Sequence, residues 1–253
     1  MQILPQLSED DFRRLEPYLP FGLALRPDAD SIARVQGEFK RMVLGLRMHP
    51  GQKIPLDTIA RNLALSRTPV REGLRLLETE GLVTALPNRG FIVRAIEADE
   101  AQQLYDARAC IEAHLLPRAL ERLDAAFFRD LRRLHDTYRR LLGDSPNRRR
   151  LGMLVDKAFH LRIARQAGND VLLRMLANIF DRLMFTRPLE GFPSERMGDA
   201  IREHQAIVDG LRSSTTGSKG ATCLAAALLA NIRNGGEAVV QYMRERESLS
   251  IAM

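Results

Sequence analysis

The stretch from Ser66 to Glu80 constrains this chain more than any other. Val70, Leu74 and Leu77 recur at i, i+4 and i+7, while Arg67, Arg71 and Arg75 recur at i, i+4 and i+8. On one helix the two sets fall on different faces. The apolar stripe must bury against neighbouring elements, and the guanidinium groups must stay outside. A helix built this way docks by one side and offers the other. That is what a helix lying in the major groove of a duplex requires, with guanidinium groups reaching phosphates and guanine edges. Residues near the start of such a helix lie deepest in the groove, so Ser66, Arg67, Thr68 and Arg71 are the candidates for contacts there. Arg67 and Arg71 suit base edges, and Arg75, further along, suits phosphate.

The flanking pattern supplies the rest of a module. Ile32, Val35, Phe39, Met42, Val43 and Leu46 predict a helix over 31–48, ended by Pro50 and Gly51. Ile59, Ala60 and Leu63 predict a short helix over 56–64. Ser66 is the expected cap of the arginine helix, Pro69 sits in its first turn, and Gly81 ends it. Val83–Leu86 and Phe91–Val93, joined by Pro87, Asn88, Arg89 and Gly90, predict a β-hairpin whose tip can lay Arg89 along the minor groove or backbone. Helix, helix, turn, helix, hairpin is the order of a winged helix-turn-helix. Charge agrees: residues 31–95 hold 11 Lys and Arg against 5 Asp and Glu, so the whole +6 excess of the chain falls within them.

The remainder predicts helices alone, over roughly 99–122, 124–142, 149–168, 169–186, 195–212 and 221–247, in the manner of an antiparallel bundle. The expected fold is therefore mainly α: an extension of unassigned role over 1–30, a winged helix-turn-helix over 31–95, and an all-helical domain over 99–247, with a linker from Arg94 to Asp99. Cys110 and Cys223 lie far apart in apolar helical surroundings and are expected to be small core residues rather than metal ligands. Met1–Arg14 lacks the pattern of a signal peptide, and the apolar run Cys223–Ala230 is too short to span a bilayer. A cytoplasmic chain with no membrane partner is the expectation.

Within the predicted bundle, Asp156 and His160 are four residues apart on one helix, and His204 lies on a later one. A carboxylate and two imidazoles meeting inside a bundle suit a divalent transition metal such as Zn, Ni or Mn. The same spacing also suits a surface hydrogen bond. An enzyme using these groups as a metal hydrolase lacks an accompanying H-E-x-x-H, G-x-S-x-G, P-loop or Rossmann glycine pattern.

The runs Leu63-Ala-Leu-Ser-Arg-Thr-Pro-Val-Arg-Glu-Gly-Leu74, Leu77-Glu-Thr-Glu-Gly-Leu-Val83 and Asn88-Arg-Gly-Phe-Ile-Val93 resemble the GntR family of bacterial regulators. The resemblance implies DNA contacts at Ser66, Arg67, Thr68 and Arg71, and a glycine at the wing tip, Gly90. Gly73 stands where relatives usually carry Ala, at a cost of about 1 kcal/mol in helix propensity. Asp156-Lys-Ala-Phe-His160, Ala167-Gly-Asn169 and Glu203-His-Gln-Ala-Ile207 resemble the FCD effector domain of the FadR-type branch. That resemblance implies a metal held by an Asp and three His. Asp156, His160 and His204 match three of the positions, and Asn231 stands where the third His would fall. It also implies that Arg108, with Glu112 on the same helix, meets the carboxylate of a small organic-acid effector, although the two residues are equally placed for an i, i+4 salt bridge. A homodimer on a palindromic operator in double-stranded DNA follows. A DNA-binding protein with a ligand-independent, structural bundle is the remaining alternative.

Overall fold

The computed structural model of the chain describes residues 30–44, 48–140, 146–185, 195–213 and 218–251. The expected role of 1–30 lies outside them. The chain divides into two compact units, one reaching to Ile96 and joined by Phe180–Pro188, the other formed by Glu97–Ile179 and Leu189–Met253.

The first unit opens with α1 (Ser31–Leu44), α2 (Leu56–Leu63) and α3 (Arg67–Thr79), followed by β1 (Val83–Leu86) and β2 (Gly90–Val93). Between α2 and α3 the chain turns at Ala64, whose left-handed backbone (φ 53°, ψ 44°) lets Leu65 donate its N–H back to the Ala60 carbonyl at 2.9 Å. Val70, Leu74 and Leu77 of α3 are fully buried with Val35 and Phe39 of α1 and Ile59 of α2. The strands pair antiparallel, Val83 opposite Val93 and Leu86 opposite Gly90. The outer edge of β2 is covered: Gly51 and Ile54 donate to the Val93 and Phe91 carbonyls, each at 2.8 Å. Lys40 is buried in this unit, its Nζ 2.7 Å from Asp181 Oδ2 and 3.6 Å from Glu80 Oε2.

Two expectations change. Ser66 occupies the cap position of α3 in extended backbone, yet its hydroxyl makes no capping bond. A cap of this kind bonds the N–H two or three residues on, and the third residue on is Pro69, which has none. Cys110 and Cys223 are exposed, not core. Their helices bury other faces: Arg108, Glu112 and Leu115 beside Cys110, and Leu224 and Leu228 beside Cys223.

The second unit contains α4 (Ala98–Leu120), α5 (Ala125–Arg140), α6 (Pro146–Gln166), the body of α7 (Asp170–Phe185), α8 (Glu195–Ser213) and α9 (Ser218–Ile251). Helix α6 packs on α4 and α5, α8 packs on α5 and α9, and α9 packs along α4. No strand follows β2 among the described residues. No described helix is long and apolar enough to cross a membrane. This packing turns one face each of α4, α6, α8 and α9 inward, and those faces carry the polar residues considered below.

Gly73 explains its own departure from the family pattern. A Cβ there would meet Val35 Cβ and Cγ1, each at 2.7 Å. Val35 Cβ is fixed to the α1 backbone, so relief requires α1 to move. Gly73→Ala gains about 1 kcal/mol of helix propensity and loses about 3 kcal/mol to overpacking. We expect a lower midpoint of urea unfolding. An unchanged or higher midpoint would mean that α1 and α3 separate without cost.

Candidate functional site

The outer surface of α3 carries the residues expected from sequence to contact DNA. Ser66, Arg67, Thr68, Arg71 and Arg75 are exposed while Val70, Leu74 and Leu77 are sealed beneath them. The Ser66 hydroxyl, released from capping, remains available to a ligand. At the wing, Asn88 and Gly90 adopt positive φ (57° and 89°), which closes the short turn and leaves Arg89 exposed at its tip. Arg67 has one partner that sequence spacing does not reveal: its Nε donates to Asp57 Oδ1 on α2 at 2.7 Å.

The inward faces of the second unit form a chain of charged groups. Arg108 Nε donates to Glu112 Oε1 at 2.5 Å, and Glu112 Oε2 lies 2.6 Å from His160 Nδ1. The i, i+4 salt bridge between Arg108 and Glu112 is therefore real, and it is buried. A carboxylate only accepts, so Nδ1 of His160 carries the proton and Nε2 keeps its lone pair in the neutral ring. That Nε2 lies 3.9 Å from Asp156 Oδ1, and His204 Nε2 lies 3.1 Å from the same oxygen. His204 is stacked on Phe159, ring centroids 4.1 Å apart, with Tyr138 at 5.2 Å. It is fully buried, and neither ring nitrogen has an aligned hydrogen bond. Asp156 keeps 24 % of its side chain accessible between two imidazoles that have none.

Electrostatics follows from these contacts. Burial raises the Glu112 carboxyl, but His160 and Arg108 more than offset it and hold it below the ordinary range. Asp156 behaves likewise: burial opposes ionisation, and His204, His160 and Arg108 keep it ionised. Burial lowers the His204 imidazole to about 4 despite the neighbouring carboxylate, so the ring is neutral at ordinary pH. A neutral imidazole, as at His204, and an ionised carboxylate, as at Asp156, are the forms in which such residues ligate a metal.

One ligand atom from each of Asp156, His160 and His204 lies within 4.8 Å of the others. Tetrahedral coordination at about 2.1 Å places ligand atoms about 3.4 Å apart; the two imidazoles lie 3.1 and 3.9 Å from Asp156 Oδ1, and all three ligand atoms lie within 4.8 Å of one another. The residues present fit a divalent transition metal. Asn231 is buried on α9, but its amide nitrogen donates to Glu203 Oε2 at 2.7 Å. Glu203 also accepts from Asn234 and Arg196, each at 2.7 Å. Reasoning from sequence missed Glu203 and Arg196, and only the position of Glu203 beside His204 could have pointed to either. His135 is buried with Nε2 3.3 Å from the Ile201 carbonyl, whereas His49 and His114 are exposed.

Residues 32–93 match the gntR family of bacterial regulatory proteins, and residues 103–231, just over half of the chain, match the FCD domain. The chain belongs to the GntR family, in its FCD-containing branch. It is 28% identical over 206 residues to the Nta operon transcriptional regulator of Aminobacter aminovorans, covering 80% of this chain and 91% of that one. It is 24% identical to the HTH-type transcriptional regulator LutR of Bacillus subtilis, covering 81% and 99%. The solved structure of Escherichia coli McbR/YncC has the same fold, with a TM-score of 0.71 at 18% identity over 85% of this chain and 99% of that one. This GntR-family protein is a DNA-binding transcriptional regulator, not an enzyme, and the hydrolase reading is set aside.

Breaking the buried Arg108–Glu112–His160 chain should be costly. Glu112→Ala leaves buried charge without its closest counter-charge, a change that typically costs about 3–5 kcal/mol. A fall in the thermal midpoint, larger than that for an exposed acid such as Glu121→Ala, is the expected result. Equal midpoints would show that the chain contributes nothing to the second unit.

Proposed function

We propose that this regulator binds a palindromic operator as a homodimer and that a small carboxylate effector, bound in the second unit beside a divalent metal, modulates its operator affinity. The observation that carries the reading is the buried convergence of Asp156, His160 and His204. Asp156, His160 and His204 would hold the metal, which supplies a Lewis-acidic position for an anionic oxygen. Glu112 holds His160 with its lone pair turned to Asp156, as a carboxylate behind a ligating histidine does. Charge supports the class of effector. With both imidazoles in the neutral form a metal requires of its ligands, Arg108, Glu112 and Asp156 sum to one negative charge. A dication reverses the sign, and the resulting single positive charge suits a carboxylate. Arg108 contributes to that balance through a guanidinium held by Glu112. Asn231, engaged by Glu203, is not needed as a ligand, and water or effector completes the shell.

The two DNA roles separate by salt. Arg71→Ala should weaken a preferred duplex, selected from a randomised pool with the unaltered protein, by about tenfold more than random duplex. Arg75→Ala should weaken both alike and flatten the salt dependence. Fluorescence anisotropy across a salt series reads both, and equal losses for Arg71→Ala on the two duplexes would overturn its role in base reading.

The metal is tested directly. After dialysis against Zn, Ni or Mn and then buffer, elemental analysis should find about one ion per chain for at least one metal. His204→Ala and His160→Ala should each lose it. Absence of all three metals from the unaltered chain, or retention by both variants, would sink the site.

A further inference from the structure

We propose that Asp57 is a positioning residue for DNA reading: it holds the Arg67 guanidinium by Nε so that the protein reads the duplex end-on, through the two Nη groups. The inference rests on the reading of Arg67 as a DNA contact. Its geometry comes from two elements rather than one. Asp57 lies in the first turn of α2, where the helix dipole favours a carboxylate, and Arg67 is the first residue of α3. The turn at Ala64 brings them together, and Nε donates to Oδ1 at 2.7 Å. Both side chains remain largely exposed, 70 % for Arg67 and 63 % for Asp57, so the pair sits on the surface.

An exposed ion pair of this kind adds little to stability. A negative charge beside the reading helix also repels the phosphates, so as a simple surface charge it works against binding. Its chemical consequence lies in which donors it takes. A guanidinium has five N–H donors in a fixed planar fork. Asp57 uses the Nε donor and leaves the four on Nη1 and Nη2. The end formed by those two nitrogens is the pair able to meet O6 and N7 of one guanine. Held in this way, a long flexible side chain loses less freedom when it meets a base. Of the other acids of the module, Glu38 accepts from Arg41 and Asn62, Glu80 accepts from Gln36, Glu78 accepts from the Ala85 amide, and Glu72 lies exposed on α3.

Two substitutions divide the acceptor from the charge. Asp57→Ala removes both, and Asp57→Asn removes the charge but keeps an acceptor oxygen. Each is compared with the unaltered protein on duplex selected from a randomised pool and on random duplex. Both variants should bind random duplex about twofold more tightly, as one repulsive charge is lost. Asp57→Ala should lower the ratio of selected to random affinity by about tenfold, whereas Asp57→Asn should keep most of that ratio. In an Arg67→Ala background, Asp57→Ala should change the ratio no further. An unchanged ratio for Asp57→Ala, with Arg67→Ala still lowering it, would overturn the positioning role alone. An unchanged ratio for Arg67→Ala would overturn the reading of Arg67 beneath it.

Discussion

The burial of Val70, Leu74 and Leu77 decides what the first unit can do. Once α3 is sealed against α1 and α2 along that stripe, helix periodicity leaves Arg67, Arg71 and Arg75 no place but solvent. On the proposed reading, recognition and folding draw on one helix through opposite faces. The absence of a Cβ at Gly73 lets Val35 approach along the same seam, so the departure that weakens the helix locally tightens its docking. An Ala at this position in this chain would meet Val35 Cβ and Cγ1, so α1 would have to move outward.

The second unit uses an opposite economy. Its interior carries Arg108, Glu112, Asp156 and His160 on faces that an apolar stripe would ordinarily fill. Such burial is a poor route to stability, since an apolar replacement of matching shape often does as well. The chain retains it where the charges face one another across α4, α6 and α8, each one lowering the cost of its neighbours. Arg108 supports Glu112, Glu112 fixes His160, and Asp156 stands between two imidazoles.

Local periodicity is what made the first unit legible. The apolar and arginine faces of α3, the hairpin and the order of helices all repeat within a few residues, and each lies within one element. The Asp57–Arg67 pair is illegible for the same reason: it crosses a turn whose left-handed residue, Ala64, carries no glycine or asparagine signal. The metal-type cluster was legible as separate residues and through resemblance to the FCD domain. That Glu112 would sit behind His160 was not, because they belong to different helices. The cysteines were misjudged because an apolar run marks a helix without saying which side is buried. The silent cap at Ser66 was readable in principle, from Pro69 three residues on.

Asn231 bears on what kind of site this is. Where an imidazole would add a fourth protein donor, α9 instead places an amide whose nitrogen is held by Glu203, and Glu203 is itself satisfied by Arg196 and Asn234. That network neutralises the glutamate and removes it as a competing ligand. Three donors from α6 and α8 then remain besides the weaker amide oxygen of Asn231. Four protein donors make a closed structural centre, whereas three leave a position for an exogenous oxygen. On the proposed reading, the loss of a histidine costs metal affinity but leaves one more position through which a carboxylate can be sensed. On that reading, Asn231 trades the permanence of a metal for responsiveness to a ligand.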